Sequence, residues 1–235
     1  INNNLFNNIN KPNFFKFHPM IKIIAEYSDK VQTGKENVHN VQITEHYPNF
    51  LIGQAASSYQ FLKFAAYSKK DLSDSIESNW RNMSIYHSTF SLGKGKIYKS
   101  FINNQFIYGY EISNSYLELF KKAINTMVTV LYASGAKKVY FIGKNIDLIK
   151  PNELDKFLSN IKSVKQLKYS SVHILGGVKM GENSDCLVDS FGKLKNFENI
   201  YVNDSSLINH SLLKNPQGTI MSIASRNINN FLNNV

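Results

Sequence analysis

The sequence predicts a mixed α+β protein built largely on antiparallel strands. Apolar residues make up 43% of the 235-residue chain, which is enough to bury a sizeable core. The first half contains several short runs with period-two alternation, and strong amphipathic helices follow later. Strands alternate with helices late in the chain, after a mostly antiparallel region, and this order describes a mixed α+β architecture.

Alternating apolar residues mark the first predicted strands. Residues 15–27 and residues 40–47 both show period-two alternation and read as strands. A helical stretch is predicted from about residue 50 to residue 67. A second, more polar helix is predicted over 69–83, and it carries Trp80.

Three short runs follow the second helix, at residues 84–90, 95–101 and 105–112. Each has the alternation of a strand, and glycine and asparagine turn signals separate them. Together they predict an antiparallel meander.

Local signals define the next helix clearly. Ser113 is a good N-cap, residues 114–134 are amphipathic, and Gly135 stands where a glycine ends many helices. A strand is predicted at 137–143, and another helix is predicted at 152–164.

The last sixty or so residues differ in character from the rest. Residues 186–194 read as strand, turn and strand, and residues 198–204 read as a short buried strand. A helix is predicted over 215–232, with Asn215 as its N-cap and Pro216 at its first position. Its apolar positions, at i, i+3 and i+4 spacing, are Ile220, Ile223, Ala224, Ile228 and Phe231.

The formal charge of +10 suggests nucleic acid as a candidate binding partner. However, only Arg81 and Arg226 among the 27 basic residues are arginines, and arginine is strongly favoured for bidentate recognition of phosphate or guanine. The lysines are scattered rather than clustered, which is typical of solvated faces. We therefore expect no nucleic-acid partner, and a basic nucleic-acid-binding protein is a distant alternative.

The titratable residues do not predict a metal site. Cys186 is the single cysteine, which excludes an intramolecular disulfide and a multi-cysteine site. No apolar run reaches the roughly 18 residues of a membrane span, so we expect a soluble, cytoplasmic protein without a transmembrane segment. None of the histidines forms an i, i+4 ligand pair supported by a third ligand. They are His18, His39, His46, His87, His173 and His210.

His173 stands out because of its surroundings. Gly176 and Gly177 follow it closely, and small residues beside a titratable group indicate a cavity. By itself, however, a Gly-Gly pair most often marks only a turn.

The C-terminal motifs resemble the tail of a glucose–methanol–choline (GMC) oxidoreductase. They appear in the same order and at matching spacings: His-x-x-Gly-Gly, Met-Gly, Val-Asp-x-x-Gly-x-Leu, Asn-Ile-Tyr-Val-x-Asp-Ser-Ser and Asn-Pro-x-x-Thr-Ile. The segment "KPNFFKFHP" near the start is similar to a linker of the same family. The matching residues after His173 are Met180, Gly181, Val188, Asp189, Gly192, Leu194, Asn199, Tyr201, Val202, Asp204, Ser206, Asn215, Pro216, Thr219, Ile220 and Ala224.

This resemblance implies an FAD-dependent oxidoreductase that acts on the CH–OH group of a small-molecule alcohol. The residue matching the family's catalytic histidine is His173, which would act as, or beside, the base that takes the alcohol proton while hydride passes to flavin N5. An imidazole suits this task because its ordinary pKa lies near 6.5. Asn215 would position the substrate oxygen.

The resemblance also implies the residues that bind FAD. Asp204 and Ser205 would lie near the ribityl chain and pyrophosphate, and Pro216 and Gln217 near the ring. The unpaired N–H groups at the start of the last helix could stabilise charge on a reduced flavin. The alternative is that Asn215 and Pro216 merely cap a helix.

The family resemblance divides the chain into a linker (1–16), a substrate-binding domain (17–168) and the C-terminal part of an FAD-binding domain (169–235). No strand is followed by the G-x-G-x-x-G fingerprint of a dinucleotide-binding βαβ unit. We therefore expect a fragment that lacks the N-terminal FAD-binding segment and binds FAD poorly alone. Leu213 departs from the family pattern, so a non-catalytic fragment or interaction module of the same fold is the alternative.

Overall fold

The protein is described from a computed structural model that defines residues 14–32, 41–99, 106–210 and 212–234. Most of the predicted linker, residues 1–13, lies outside these described ranges.

The elements are numbered in chain order. The strands are β1 (Phe14–Phe17), β2 (Met20–Glu26), β3 (Gln42–Ile43), β4 (Leu51–Gln54), β5 (Met83–Thr89), β6 (Lys94–Lys99), β7 (Phe106–Glu111), β8 (Lys138–Ile142), β9 (Ile146–Ile149) and β10 (Ile174–Gly176). The helices are α1 (Tyr59–Ala66), α2 (Lys70–Asn79), α3 (Leu117–Ala133), α4 (Leu154–Asn160) and α5 (Gln217–Asn233).

The chain forms two compact units, each made from separate stretches of sequence. Unit 1 contains Ile1–His18, Leu92–Glu111 and Val172–Val235. Unit 2 contains Pro19–Ser91 and Ile112–Ser171.

The described part of unit 2 is organised by one antiparallel sheet of six strands in the order β3-β4-β5-β2-β8-β9. The central strand β2 is buried on both faces, and Ile21, Ile23 and Ile24 are fully inaccessible. On one face, Ile24 packs in a cluster with Leu62 of α1 and Ile76 of α2. Two amphipathic helices thus cover this face, which confirms the predicted mixed α+β class with an antiparallel sheet backed by helices.

The long helix α3 follows its local sequence signals closely. Ser113 caps a short 3₁₀ turn that leads directly into α3. At the other end Gly135 has φ +95° and closes a Schellman motif, in which Ala136 N–H donates to the Leu131 carbonyl and Gly135 N–H to that of Tyr132, both at 3.0 Å. The apolar stripe is fully buried and consists of Phe120, Ala123, Ile124, Met127, Val128 and Leu131.

Two sequence predictions in unit 2 are wrong. The strand predicted at 40–47 is much shorter than expected: within its described residues, 41–47, only the two residues of β3 pair, and Val41 is 81% exposed. The helix predicted from residue 50 begins only at Tyr59, since residues 51–54 form β4 and pair with β5. A short apolar run fits either state, and here pairing with β5 decides for a strand.

The predicted three-stranded meander is also wrong. β5 belongs to the sheet of unit 2, whereas β6 and β7 form a hairpin in unit 1. Described residues of unit 1 form a four-stranded sheet in the order β10-β1-β6-β7. Gly95 in β6 permits close packing there, because a Cβ at this position would lie 2.3 Å from the Phe15 ring.

The region between β10 and α5 is held by a small core rather than by regular strands. Val188, Leu194 and Leu207 form this core, and Ile223 of α5 packs against it. Single bridges, such as Val188 with Leu194, stand where strands were predicted at 186–194 and 198–204. Tyr201 is exposed, so the second of these segments is not a buried strand.

Helix α5 begins one residue later than predicted. Pro216 is its N-cap, and the Pro216 carbonyl accepts the first helical hydrogen bond from Ile220 N–H at 2.9 Å. The prediction that Asn215 is the N-cap is therefore wrong. The predicted apolar stripe is largely accessible, and Asn227 is the buried residue of this helix.

No helix among the described residues is both long enough and apolar enough to cross a lipid bilayer.

Candidate active site

His173 lies directly before β10, and strand register brings it to His18. β1 and β10 pair antiparallel, with Phe17 opposite Ile174. The next pair along this register is His18 with His173. Their Nδ1 atoms lie 3.0 Å apart, and the two rings meet edge to face with centroids separated by 5.0 Å. A hydrogen bond therefore joins two imidazoles that are 155 positions apart in sequence.

The surroundings favour the neutral form of both imidazoles. His18 is 0% exposed, and its Nε2 atom has no hydrogen-bond partner among the residues that the structure describes. Burial, and secondarily the charge that His173 can carry, lower the pKa of His18 to about 4. His173 is half-buried, and burial lowers its pKa as well. Both rings are therefore uncharged near neutral pH, so His173 is able to accept a proton.

Tyr110 of β7 fixes the end of β1 from which His18 follows. Its ring stacks on Phe17 at a centroid distance of 4.7 Å. The Phe17 N–H donates to the Tyr110 hydroxyl at 3.2 Å, and that hydroxyl donates to the Leu92 carbonyl. Burial raises the pKa of Tyr110, so the phenol keeps its proton for this bond.

The two glycines after His173 are required by backbone conformation. Gly176 has φ +79° and Gly177 has φ +110°, both in the region that L side chains rarely adopt. A Cβ at Gly177 would meet no atom within 4 Å. Gly177 therefore adjoins open space, and the positive φ angles explain why glycine is needed at both positions. The cavity that the sequence predicts beside His173 stays a prediction.

Asp204 and Ser205 lie in a short turn next to the segment that follows β10. Asp204 caps the 3₁₀ turn Ser205–Leu207, since its carboxylate accepts from Ser206 N–H at 2.7 Å. The Ser206 carbonyl in turn accepts from Val178 N–H at 3.1 Å. The buried Leu207 side chain anchors the turn in the small core of unit 1. Both predicted cofactor residues are thus held near the segment that begins with His173.

Asn215, Pro216 and Gln217 lie at the start of α5. The side chains of Asn215 and Gln217 are exposed, and Pro216 is buried. The first turn of α5 contains no acidic residue, and a Cβ at Gly218 would meet no atom within 4 Å. The first N–H groups of α5 donate to no described residue, and N–H groups at a helix start suit a group that gathers negative charge. The convergence of Asn215 with His173 stays a prediction.

Sequence reasoning missed His18. It lies in the "KPNFFKFHP" segment, which carries a family resemblance, but nothing in the local sequence shows which residue it faces. Only the register of β1 with β10 reveals the contact. Within the four described ranges, no group of three or more histidine, cysteine, aspartate or glutamate side chains is arranged to hold a metal ion.

Comparisons with known proteins agree on one family. The family model described as GMC oxidoreductase matches residues 102–224. The chain is 23% identical over 214 residues to the uncharacterized GMC-type oxidoreductase y4nJ of Sinorhizobium fredii (strain NBRC 101917 / NGR234), covering 90% of this chain and 42% of that protein.

A solved structure shows the same fold. The crystal structure of pyridoxine 4-oxidase from Mesorbium loti matches with a TM-score of 0.61 and 14% identity, covering 94% of this chain and 43% of that one. At this identity the likeness concerns the fold alone. The chain spans less than half the length of either protein.

Proposed function

The chain belongs to the GMC oxidoreductase family, and from this premise we propose that it is the C-terminal portion of an FAD-dependent enzyme that oxidises an alcohol to a carbonyl compound. The observation that carries the proposal is the state of His173: a half-buried imidazole, kept neutral by burial and bonded at Nδ1 to a buried partner. Such a ring can accept a proton at Nε2, its other nitrogen.

In this proposal His173 takes the hydroxyl proton of the alcohol. A base must be unprotonated at the working pH, and burial lowers the pKa of His173 below its ordinary value of 6.5. Asn215 would hold the same oxygen through its carboxamide N–H, because a neutral donor can bind both the alcohol and the developing alkoxide.

The start of α5 fits the cofactor that the family implies. Pro216 and Gln217 would lie at the flavin ring, with the free N–H groups of the first turn near its most electron-rich edge when reduced. Asp204 and Ser205 would contact the ribityl chain and pyrophosphate. When bound, FAD supplies the hydride-accepting atom of the reaction.

The exposed apolar side chains of α5 support the proposal that a further segment packs against this helix. Met221, Ile228 and Leu232 are 63%, 50% and 66% exposed, so apolar side chains follow one another along this helix without cover from described residues. The sequence of the chain also lacks a G-x-G-x-x-G fingerprint. Both observations are accounted for if an N-terminal FAD-binding segment covers α5 and supplies the pyrophosphate site.

The proposal assigns a separate role to each of the two predicted domains. Residues 17–168 would bind the substrate, and residues 169–235 would complete the FAD-binding domain. The substrate is a small-molecule alcohol, and no nucleic acid takes part.

The test is to produce this chain joined to an N-terminal FAD-binding segment and to compare His173→Ala with His210→Ala. His210 is exposed and has no assigned role, so it serves as the matched control. We expect all three proteins to carry flavin absorbing at about 450 nm. Only His173→Ala should lose alcohol oxidation, by about 10² to 10⁴-fold.

Two outcomes would count against the proposal. A folded joined protein without bound flavin would exclude the FAD assignment. Bound flavin without turnover in any of the three proteins would favour the non-catalytic interaction module instead.

A further inference from the structure

We propose that His18 is a positioning residue for His173: its imidazole accepts a hydrogen bond from Nδ1–H of His173 and so keeps the lone pair of His173 Nε2 available for the substrate proton. This inference rests on the proposed function. It assigns a role to a residue outside the predicted His173 and Asn215 pair.

The geometry allows only one proton between the two rings. At an Nδ1 to Nδ1 distance of 3.0 Å, one nitrogen must donate and the other must accept. If His18 donates, neutral His173 carries its own proton on Nε2 and cannot take another there. If His173 donates, its Nε2 is unprotonated and can act as a base.

The protonated state separates these two arrangements further. When the alcohol O–H bond breaks and an N–H bond forms at Nε2, His173 carries a proton on both nitrogens. Nδ1 of His18 must then be bare, since two N–H groups cannot face each other at this distance. Among the two arrangements, only the one with His173 as donor lets it cycle between neutral and charged forms without rearranging His18.

The protein holds His18 in a way that suits an acceptor. The β1–β10 register places it opposite His173, and the Tyr110 contacts with Phe17 fix the adjacent backbone. Burial keeps His18 neutral, with a pKa of about 4, so its accepting lone pair persists when His173 becomes charged. The proton of His18 then lies on Nε2, a buried atom that no described residue accepts from. A buried N–H without an acceptor costs free energy, so burial disfavours this tautomer of His18. Proton transfer to Nε2 of His173 nevertheless requires this tautomer.

The tautomers can be read directly by nitrogen NMR of the 235-residue chain with ¹⁵N-labelled histidine. Variants at His18 and His173 assign the signals. We expect His173 to carry its proton on Nδ1 and His18 on Nε2. The opposite pair of tautomers would overturn the proposal.

Two near-isosteric substitutions test whether His18 causes this tautomer. In His18→Asn, the side-chain oxygen can occupy the place of Nδ1 and still accept, so His173 should remain protonated on Nδ1. In His18→Leu, the acceptor is lost, and both His173 tautomers should be populated. An unchanged tautomer in His18→Leu would contradict the proposal; should this variant fail to fold, the wild-type and His18→Asn spectra still decide.

Kinetics of the joined protein separate this inference from the proposed function. His18→Leu should lower kcat by about 10 to 100-fold with little change in KM, and His18→Asn should recover most of the loss. If the tautomers are as expected but His173→Ala keeps full turnover, the base assignment fails and the pairing stands. If His173→Ala is inactive but His18→Leu keeps both tautomer and kcat, the positioning role fails alone.

Discussion

His18 gives this fold a specific sensitivity to acid. Burial and the charge on His173 lower its pKa from the ordinary 6.5 to about 4, so the folded chain keeps the ring neutral where the unfolded chain protonates it. Below pH 6.5 the unfolded state therefore binds one more proton than the native state. The free energy of unfolding consequently falls as the pH falls, until the native ring also protonates near pH 4.

The magnitude follows from the size of this pKa change. A fall from 6.5 to about 4 corresponds to about 3 kcal/mol of stability lost across that pH range. His173 acts in the same direction, because burial lowers its pKa too. The pKa values of Glu77 and Glu182 are also lowered, but these carboxylates lose their contribution only below their ordinary 4.5, at the acid end of this window.

Urea unfolding of the wild-type chain and of His18→Asn isolates the effect, since the other titrating groups are the same. Between about pH 7 and about pH 4, the wild type should lose about 3 kcal/mol more than the variant, allowing for the unfolded-state titration of one ring. Parallel pH profiles for the two proteins would refute the assignment of a buried, neutral His18.

Three further predictions concern the stability of the chain and the segment proposed to pack on α5. Gly135→Ala should destabilise the chain by about 1 kcal/mol, because φ is +95° and space is not limiting, whereas Gly218→Ala in the first turn of α5 should stabilise it by about 0.5 kcal/mol; urea unfolding measures both. Ile24→Ala in the central strand should cost about 2–5 kcal/mol by the same assay, and a loss below about 1 kcal/mol would contradict its fully buried position. Ile228→Ser should change the stability of this chain by less than about 0.5 kcal/mol, because the side chain is half exposed. In the joined protein the same substitution should weaken flavin retention, measured by absorbance. Unchanged retention would argue against the proposal that an N-terminal segment packs on α5.

Elements governed by local rules could be predicted from sequence. The course of α3 is fixed by Ser113 at its start, a 3.6-residue apolar period along its length and Gly135 after its end. The structure confirms all three signals, because each depends on residues within a few positions of one another.

Elements whose structure depends on residues distant in sequence could not be predicted from the sequence. Residues 51–54 form a strand because they pair with β3 on one side and β5 on the other, and β5 pairs with β2 rather than with β6, which is nearer in sequence. Alternation along β5 and β6 predicts that each is a strand, but it carries no information about the sheet in which each lies.

The candidate site shows the same limit. Motif spacing singles out His173, yet its partner His18 is found only through the register of β1 with β10. Likewise, the sequence of α5 predicts an amphipathic helix, but it does not show that much of its apolar face is left uncovered by described residues.

The central claim is that His173 takes the proton of the alcohol, and the pH dependence of flavin reduction tests it most directly. In the joined protein mixed with alcohol without oxygen, the reduction rate should fall with acidification through an apparent pKa below 6.5, as His173 becomes protonated. In His173→Gln, reduction should be slow and lack this titration. The same rate and the same pH profile in both proteins would contradict the claim.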